Sequence, residues 1–311
     1  AISVGITNGG HSRGGTPIGI DSPGRSKPEI VAFSNYTSFA TARVASAAAL
    51  LRAATAGTAA AQPDAIKAIL MAGATKEEFP GWQRPANAPL DPVFGAGELN
   101  VFHAYRIAEA GQAPPGGSAP ARGWDRRAAA PSGAHDYTIT IPGSGNAGAD
   151  ELSAVLAWHR LVPDTIPGRL WGAGSELPDF DLALFHGGTE IARSQSAAGD
   201  NVEHIYLRNL PPGTYTLRVE GGGTAEFALA WRTEPGPGIR AALDPDLPGA
   251  IVFSHLMAGE SYAVERATDL TAADWEDVAT LEPTGADFAA WQDPDPPAGR
   301  AFYRLRWVVG G

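Results

Sequence analysis

"YTSFATARVASAAALL", residues 36–51, decides how the front of this 311-residue chain is read. Thr37 and Ser38 open a run of small apolar residues that continues to about Ala56, with Gly57 just past its end. That pattern predicts a helix with Thr37 or Ser38 at its N-terminal end. A serine there meets the positive end of the helix dipole and free backbone N–H groups, which suits a nucleophile whose reaction develops an oxyanion. Ser and Thr are also preferred helix caps, so a purely structural role explains the same residue. A general base is what separates the two readings.

Working outward, "AISVGIT" (1–7) and "EIVAF" (29–33) read as short strands, joined by a loop rich in glycine and proline (9–28). "PDAIKAILMAGA" (63–74) predicts a second helix with proline in its first turn. "GAGELNVFHAYRIAEAG" (95–111) predicts a third, from near Asn100 to Gly111. Residues 113–131 read as a linker from their Pro, Gly and Ala content. Beyond them the hydrophobic period becomes two. Six strand-like runs from "HDYTITIP" (135–142) to "AEFALAWRTE" (225–234) predict a β-sandwich over 132–234, jelly-roll-like. "PGPG" (235–238) marks a boundary, and five further runs predict a small β module at 239–309. The expected architecture is therefore multidomain: a partial α/β domain at 1–112 followed by two β-sandwich-like domains.

Charge and composition narrow the function. The net charge is -11, and it is uneven. Residues 1–112 hold nine Lys/Arg against eight Asp/Glu, whereas 113–311 hold fourteen Arg, no Lys and twenty-six Asp/Glu. So acidic a tail repels phosphate backbones and argues against nucleic-acid binding. No apolar run reaches the ~18 residues that span a bilayer. There is no cysteine, which excludes disulfides and thiolate metal sites.

Four stretches, in order, resemble the C-terminal part of the catalytic domain of a subtilisin-like serine protease. "RSKPEIVAF" (25–33) is similar to the strand before the nucleophile, and "TSFATARVASAAALL" (37–51) to the nucleophile motif. "AIKAILMAGA" (65–74) and "GAGELNVFHAYRIA" (95–108) are similar to two later helical segments. The resemblance covers residues 1–112 and places Ser38 at the nucleophile position. It implies a secreted bacterial endopeptidase, extracellular, periplasmic or on the cell surface, acting on polypeptide substrates and requiring no cofactor.

The same family supplies its Asp and His before the serine. Only 37 residues precede Ser38 here; they hold one aspartate, Asp21, and one histidine, His11, in the wrong order and outside the family's motifs. Both are expected in a surface loop, so the base and its orienting carboxylate are absent from this chain. Tyr36 stands where the family has glycine, Ala42 replaces its proline and Arg43 its histidine. The helix presents Val44, Ala45, Ala48, Ala49, Leu50 and Leu51, and residues 1–112 offer about two strands to cover them. A missing N-terminal portion, as a companion chain or as sequence outside these residues, is therefore expected to complete the domain. The alternative is a catalytically inactive relative that binds or attaches through its β modules.

Residues 132–234 resemble the pre-peptidase and P-domain-like sandwiches that follow such catalytic domains, on "FDLALFHGGTEIARS" (180–194) and "NVEHIYLRNLPPGTYTLRVEG" (201–221). Asp179 and Asp181 are weak candidates for calcium, which favours oxygen ligands, although such aspartates more often simply enter a strand. His159, His186 and His204 lie on separate predicted strands and are expected on sheet surfaces, without metal spacing. In 239–309, Trp275, Trp291, Phe302, Tyr303 and Trp307 are expected mostly in the core, a sugar-binding face being the alternative.

Overall fold

The structure is a computed structural model that describes residues 1–11, 25–129, 133–141, 150–161, 176–196, 199–235, 240–245, 247–254, 256, 261–269, 274–284 and 288–308. The chain divides into two compact units. The first comprises Ala1–Thr140, Leu152–Tyr206 and Thr214–Thr233; the second comprises Ile141–Glu151, Leu207–Gly213 and Glu234–Gly311.

In the first unit, β1 (Val4–Ile6) and β2 (Ile30–Ala32) pair in parallel, Val4 beside Ile30 and Ile6 beside Ala32. Residues 97–99 extend this sheet through Val31 N–H to Gly97 O (3.0 Å) and Leu99 N–H to Val31 O (2.8 Å). The turn that delivers them explains the two glycines of "GAG". Gly95 has φ +59° and a Cβ there would lie 2.6 Å from the Pro28 carbonyl oxygen. Gly97 has φ +117° and a Cβ would lie 2.3 Å from the Thr75 carbonyl oxygen. Only glycine permits both conformations and both approaches.

Among the described residues of this unit are three α-helices: α1 (Thr37–Ala54), α2 (Pro63–Gly73) and α3 (Val101–Glu109). Proline opens α2, as expected, and the Asn100 side chain caps α3 by accepting the His103 N–H at 2.9 Å. On α1 the buried residues are Ala40, Val44, Ala47 and Leu51, one stripe at helical spacing. Its other face, with Phe39, Ala45, Ala49 and Leu50, is exposed. α2 differs: every residue from Asp64 to Gly73 is buried.

What buries α2 is the sandwich. A five-stranded sheet has the order β3 (Ser118–Ala119), β5 (His135–Ile141), β10 (Gly213–Gly221), β7 (Phe180–His186), β8 (Thr189–Ser194). A four-stranded sheet has the order β4 (Arg122–Ala128), β11 (Glu226–Pro235), β6 (Asp150–Trp158), β9 (Val202–Leu210). Aromatic rings bind the two sheets: Trp158 to Phe180 at 5.2 Å, Phe180 to Phe227 at 5.5 Å and Tyr137 to Trp231 at 5.6 Å between centroids. The opposite face of the four-stranded sheet carries Trp124, Val155, Ala157, Val202, Ala228 and Ala230 into one core with the helices. That sheet is apolar on both faces, which is why "AVLAW" and "FALAW" do not alternate.

The stretch 113–131, expected to be a linker, carries β3 and β4. Its proline- and glycine-rich start hid the run "GWDRRA". There Trp124 donates its indole N–H to Ala108 O at 3.2 Å, and β4 pairs along β11 from Arg122 to Ala128.

The second unit holds two three-stranded sheets. One has the order β12 (Arg240–Leu243), β13 (Ala250–Ser254), β16 (Phe288–Gln292). The other has the order β15 (Glu276–Leu281), β14 (Ser261–Ala267), β17 (Phe302–Val308). Phe253, Leu256, Tyr262 and Val264 are buried in this unit. Trp275, Trp291, Phe302 and Tyr303, expected mostly in the core, are half-buried instead. Trp275 carries the Arg304 guanidinium 4.1 Å over its ring, and Tyr303 donates to Asp293 at 2.7 Å. The Trp307 side chain lies outside the described residues. Among the described residues, no helix is long and apolar enough to cross a membrane.

Candidate functional site

Ser38 is the second residue of α1 and is exposed. The cap position belongs to Tyr36, in extended conformation, and no side chain caps the turn. The capping explanation of Ser38 therefore fails: the serine lies inside the helix, and the Tyr36 carbonyl accepts from Phe39 N–H (3.2 Å) and Ala40 N–H (3.1 Å). An uncapped first turn leaves backbone donors directed out of the helix end, where the macrodipole favours negative charge.

The surroundings of Ser38 are aromatic and open. Tyr36 is 65 % exposed and Phe39 62 %, their rings meeting edge to face at 5.9 Å. Phe33 is exposed too, with the Arg43 guanidinium 5.9 Å from its ring centre. The Glu98 carboxyl accepts the Phe33 backbone N–H; burial and the nearby Glu78 raise its pKa, against the pull of that bond and of Arg43.

His11 is no partner for this serine. Its Nδ1 accepts the Ile6 N–H at 3.0 Å, which fixes the proton on Nε2, and Nε2 donates to the Val93 carbonyl at 2.8 Å. The imidazole also fills the space beside Gly5, where a Cβ would lie 2.6 Å from the ring. It is a structural clasp rather than a surface-loop residue. Asp21 lies outside the described residues.

Of the three histidines expected on sheet surfaces, His204 is fully buried. Its Nε2 lies 3.4 Å from Ser153 Oγ, and Lys76 Nζ lies 3.5 Å from that hydroxyl. Burial, then Lys76, Arg84 and Arg232, drive the His204 pKa well below its ordinary value, so the ring is neutral. A serine, a histidine and a lysine in contact look like nucleophile chemistry. All three are shut from solvent, however, and Lys76 also sits over the rings of Tyr206 (4.2 Å) and Trp82 (5.3 Å). This is interior packing. His186 stacks on Tyr215 at 4.4 Å, and His159 is exposed after the end of β6.

Asp181 lies in an acidic cluster that also holds a guanidinium. The Arg193 guanidinium contacts Asp181 at 3.4 Å, Glu220 at 2.9 Å and Glu190 at 2.7 Å, and one side-chain cation thus offsets part of the acidic charge. Calcium takes six to eight oxygens. No group of three or more His, Asp or Glu residues placed to hold a metal occurs among the described residues.

Sequence reasoning missed the buried ionic joint between α2 and its surroundings. Lys67 Nζ donates to Glu29 Oε1 at 2.7 Å and to Asn201 Oδ1 at 3.1 Å, and Ser3 N–H donates to Glu29 Oε2 at 2.7 Å. Burial pushes the Glu29 pKa up, but Lys67 and Lys27 outweigh it and hold the carboxyl at about 2. Asp64 accepts two bonds from Arg126 Nε, at 2.9 and 3.0 Å. Arg232, wholly buried, donates to the Ala72 and Ala74 carbonyls at the end of α2. A charged residue inside an apolar helical run, as Lys67 is in "AIKAIL", was the available signal, since such groups are buried only with partners.

No family model matches the chain, and no curated protein matches it. Among solved structures, it is similar to the pre-peptidase C-terminal domain of a collagenase from Bacillus anthracis, at 12% identity over 39% of this chain and 94% of that one, with a TM-score of 0.24. It is also similar to a GH2 beta-galacturonidase from Eisenbergiella tayi, at 12% identity over 57% of this chain and 34% of that one, with a TM-score of 0.20.

Proposed function

We propose that these residues form the C-terminal part of a secreted bacterial subtilisin-like serine endopeptidase, with Ser38 as nucleophile and its Asp and His supplied by polypeptide outside them. The observation that carries this reading is the exposed Ser38 hydroxyl at the uncapped entrance of a helix with one bare face. In the reaction, Ser38 Oγ attacks the peptide carbonyl while the external histidine takes its proton. Backbone donors of the first turn of α1 stabilise the oxyanion. The proton passes to the departing amine, and water then releases the acyl group from Ser38. Phe39, Ala45, Ala49 and Leu50 are the surface on which the remaining part of the domain, as a companion chain or as upstream sequence, would pack.

Fluorophosphonate labelling of the natively purified protein tests this. Ser38 is expected to carry the label, and Ser38→Ala to remove it. A complete, folded protein that takes up no label would replace this reading with a second one, a catalytically inactive relative used for binding or surface attachment. Tyr36 favours that second reading, because its side chain stands where the family has glycine.

A further inference from the structure

β8 lies at the edge of the five-stranded sheet, its Ser194 paired with Leu182 of β7. The end of this strand is tied inward to β9 and to the stretch 76–95. Ser194 donates its hydroxyl to Glu203 Oε2 and accepts the His204 N–H at 3.1 Å. Ser196, just past the strand, donates both its N–H (2.7 Å) and its hydroxyl to Glu203 Oε1. Beside them, the Arg193 carbonyl accepts from Arg84 Nη2 at 2.7 Å. Three neighbouring residues of an edge strand therefore carry all of these ties, and Glu203 takes most of them.

Glu203 is wholly buried, and its bonded partners are neutral. Arg84, from the stretch 76–95, acts on it through space. That guanidinium donates to the Ala88 carbonyl (3.4 Å) and the Arg193 carbonyl (2.7 Å) rather than to the carboxyl. The Arg193 side chain is engaged with Asp181, Glu190 and Glu220. Strand alternation turns the neighbouring His204 to the other face of β9, where Lys76 and Arg232 act on it and keep it neutral. Enclosure without a bonded cation disfavours the charged carboxylate. Peeling of the edge strand is the shortest route by which water reaches it, since β8 has no further strand to hold its outer side.

We infer that Glu203 is a proton-operated latch: protonated, it fastens the end of β8 to β9, and ionised, it lets that edge peel away and release Arg84. The stretch 76–95 then loses one hold on the sandwich, while Trp82 keeps another against His204 (5.5 Å) and Tyr206 (5.3 Å). Opening is thus local. Because the same stretch holds His11 through the Val93 carbonyl, the latch sets how firmly β1 and the sandwich are joined. It does not depend on Ser38.

Amide hydrogen exchange of the 311-residue chain, read residue by residue at pH 6 and pH 8, tests the latch. Burial, against the serine bonds and Arg84, holds the latched carboxyl up at about 7, and a freed one titrates near 4.5. Protection of the Ser196 and His204 amides, corrected for the intrinsic base dependence of exchange, is therefore expected to fall about tenfold over that range. Glu203→Gln, shown to be folded by circular dichroism at pH 6, is expected to keep that protection constant. Low concentrations of urea are expected to leave Ser196 exchange in the unsubstituted chain unchanged, as a local opening requires. Protection that ignores pH in the unsubstituted chain, a pH dependence that survives Glu203→Gln, or exchange that climbs with urea as steeply as global unfolding would each overturn it.

Discussion

α1 and α2 are neighbours in sequence and opposites in burial. α1 has eighteen residues and buries four of them; α2 has eleven and buries ten. Composition contributes, since α2 carries Ile66, Ile69, Leu70 and Met71 where α1 is mostly Ala, Ser and Thr, but Leu50 and Phe39 of α1 are as apolar and still exposed. Coverage differs as well: β1, β2 and α2 take one face of α1, whereas α2 is enclosed by α1, α3 and the four-stranded sheet. Stability of the first unit is therefore concentrated on α2, and the outer face of α1 is left free for other work.

Breaking the ionic joint of α2 is expected to have the largest effect. Glu29→Ala leaves Lys67 buried and uncompensated, which costs about 3–5 kcal/mol by analogy with other buried pairs opened on one side. Chemical denaturation reads it, and a loss below 1 kcal/mol would mean that water already reaches Lys67. Next comes a direct contrast on α1. Leu51, 2 % exposed, should lose about 2–5 kcal/mol as alanine, and Leu50, 64 % exposed, no more than about 0.5 kcal/mol. Similar losses at both positions would show that the outer face of α1 is covered in solution.

Proton linkage sharpens the same division. Glu29 is depressed to about 2 from an unfolded value near 4.5, so its contribution is complete above 4.5 and is lost as pH falls from there toward 2. Glu203, buried among Ser194 and Ser196, has the opposite sign. Burial raises it to about 7 against its hydrogen bonds, so it opposes folding fully above 7 and progressively less as pH falls to 4.5. Stability should accordingly rise as pH falls from about 7 to 6.5. Below 6.5 the buried neutral His204, protonated only in the unfolded chain, offsets the Glu203 gain, and below 4.5 the loss of Glu29 adds to the fall. Glu203→Gln should therefore remove the rise above 6.5. Thermal unfolding across that range checks both. An effect smaller than at Glu29 or Leu51 is expected at the crossing of α2 and α3. A Cβ on Gly73 would lie 2.7 Å from Ala104 N, so Gly73→Ala should cost about 1–3 kcal/mol through overpacking. An unchanged melting temperature would show that α3 can move aside.

The sequence carried the local architecture well. Thr37, Pro63 and Asn100 mark the starts of the three helices, and the six apolar runs bounded by turn residues coincide with β5, β6, β7, β9, β10 and β11, whereas β3, β4 and β8 were not expected. It also carried Ser38 as the residue to ask about, since hydroxyl and helix entrance are adjacent in the chain. β4 was illegible because its apolar positions are few and follow a proline-rich start. The roles of His11 and His204 were illegible because their partners, Val93 and Ser153, are 82 and 51 residues away.

By itself, then, the sequence determined the helices, most strands and the exposed serine, because capping, turn chemistry and hydrophobic period act over a few residues. Only the tertiary structure decided how completely each helix would be enclosed and that Lys67 and Arg232 would be buried. Burial and charge compensation depend on which distant segments arrive, and no local pattern states that.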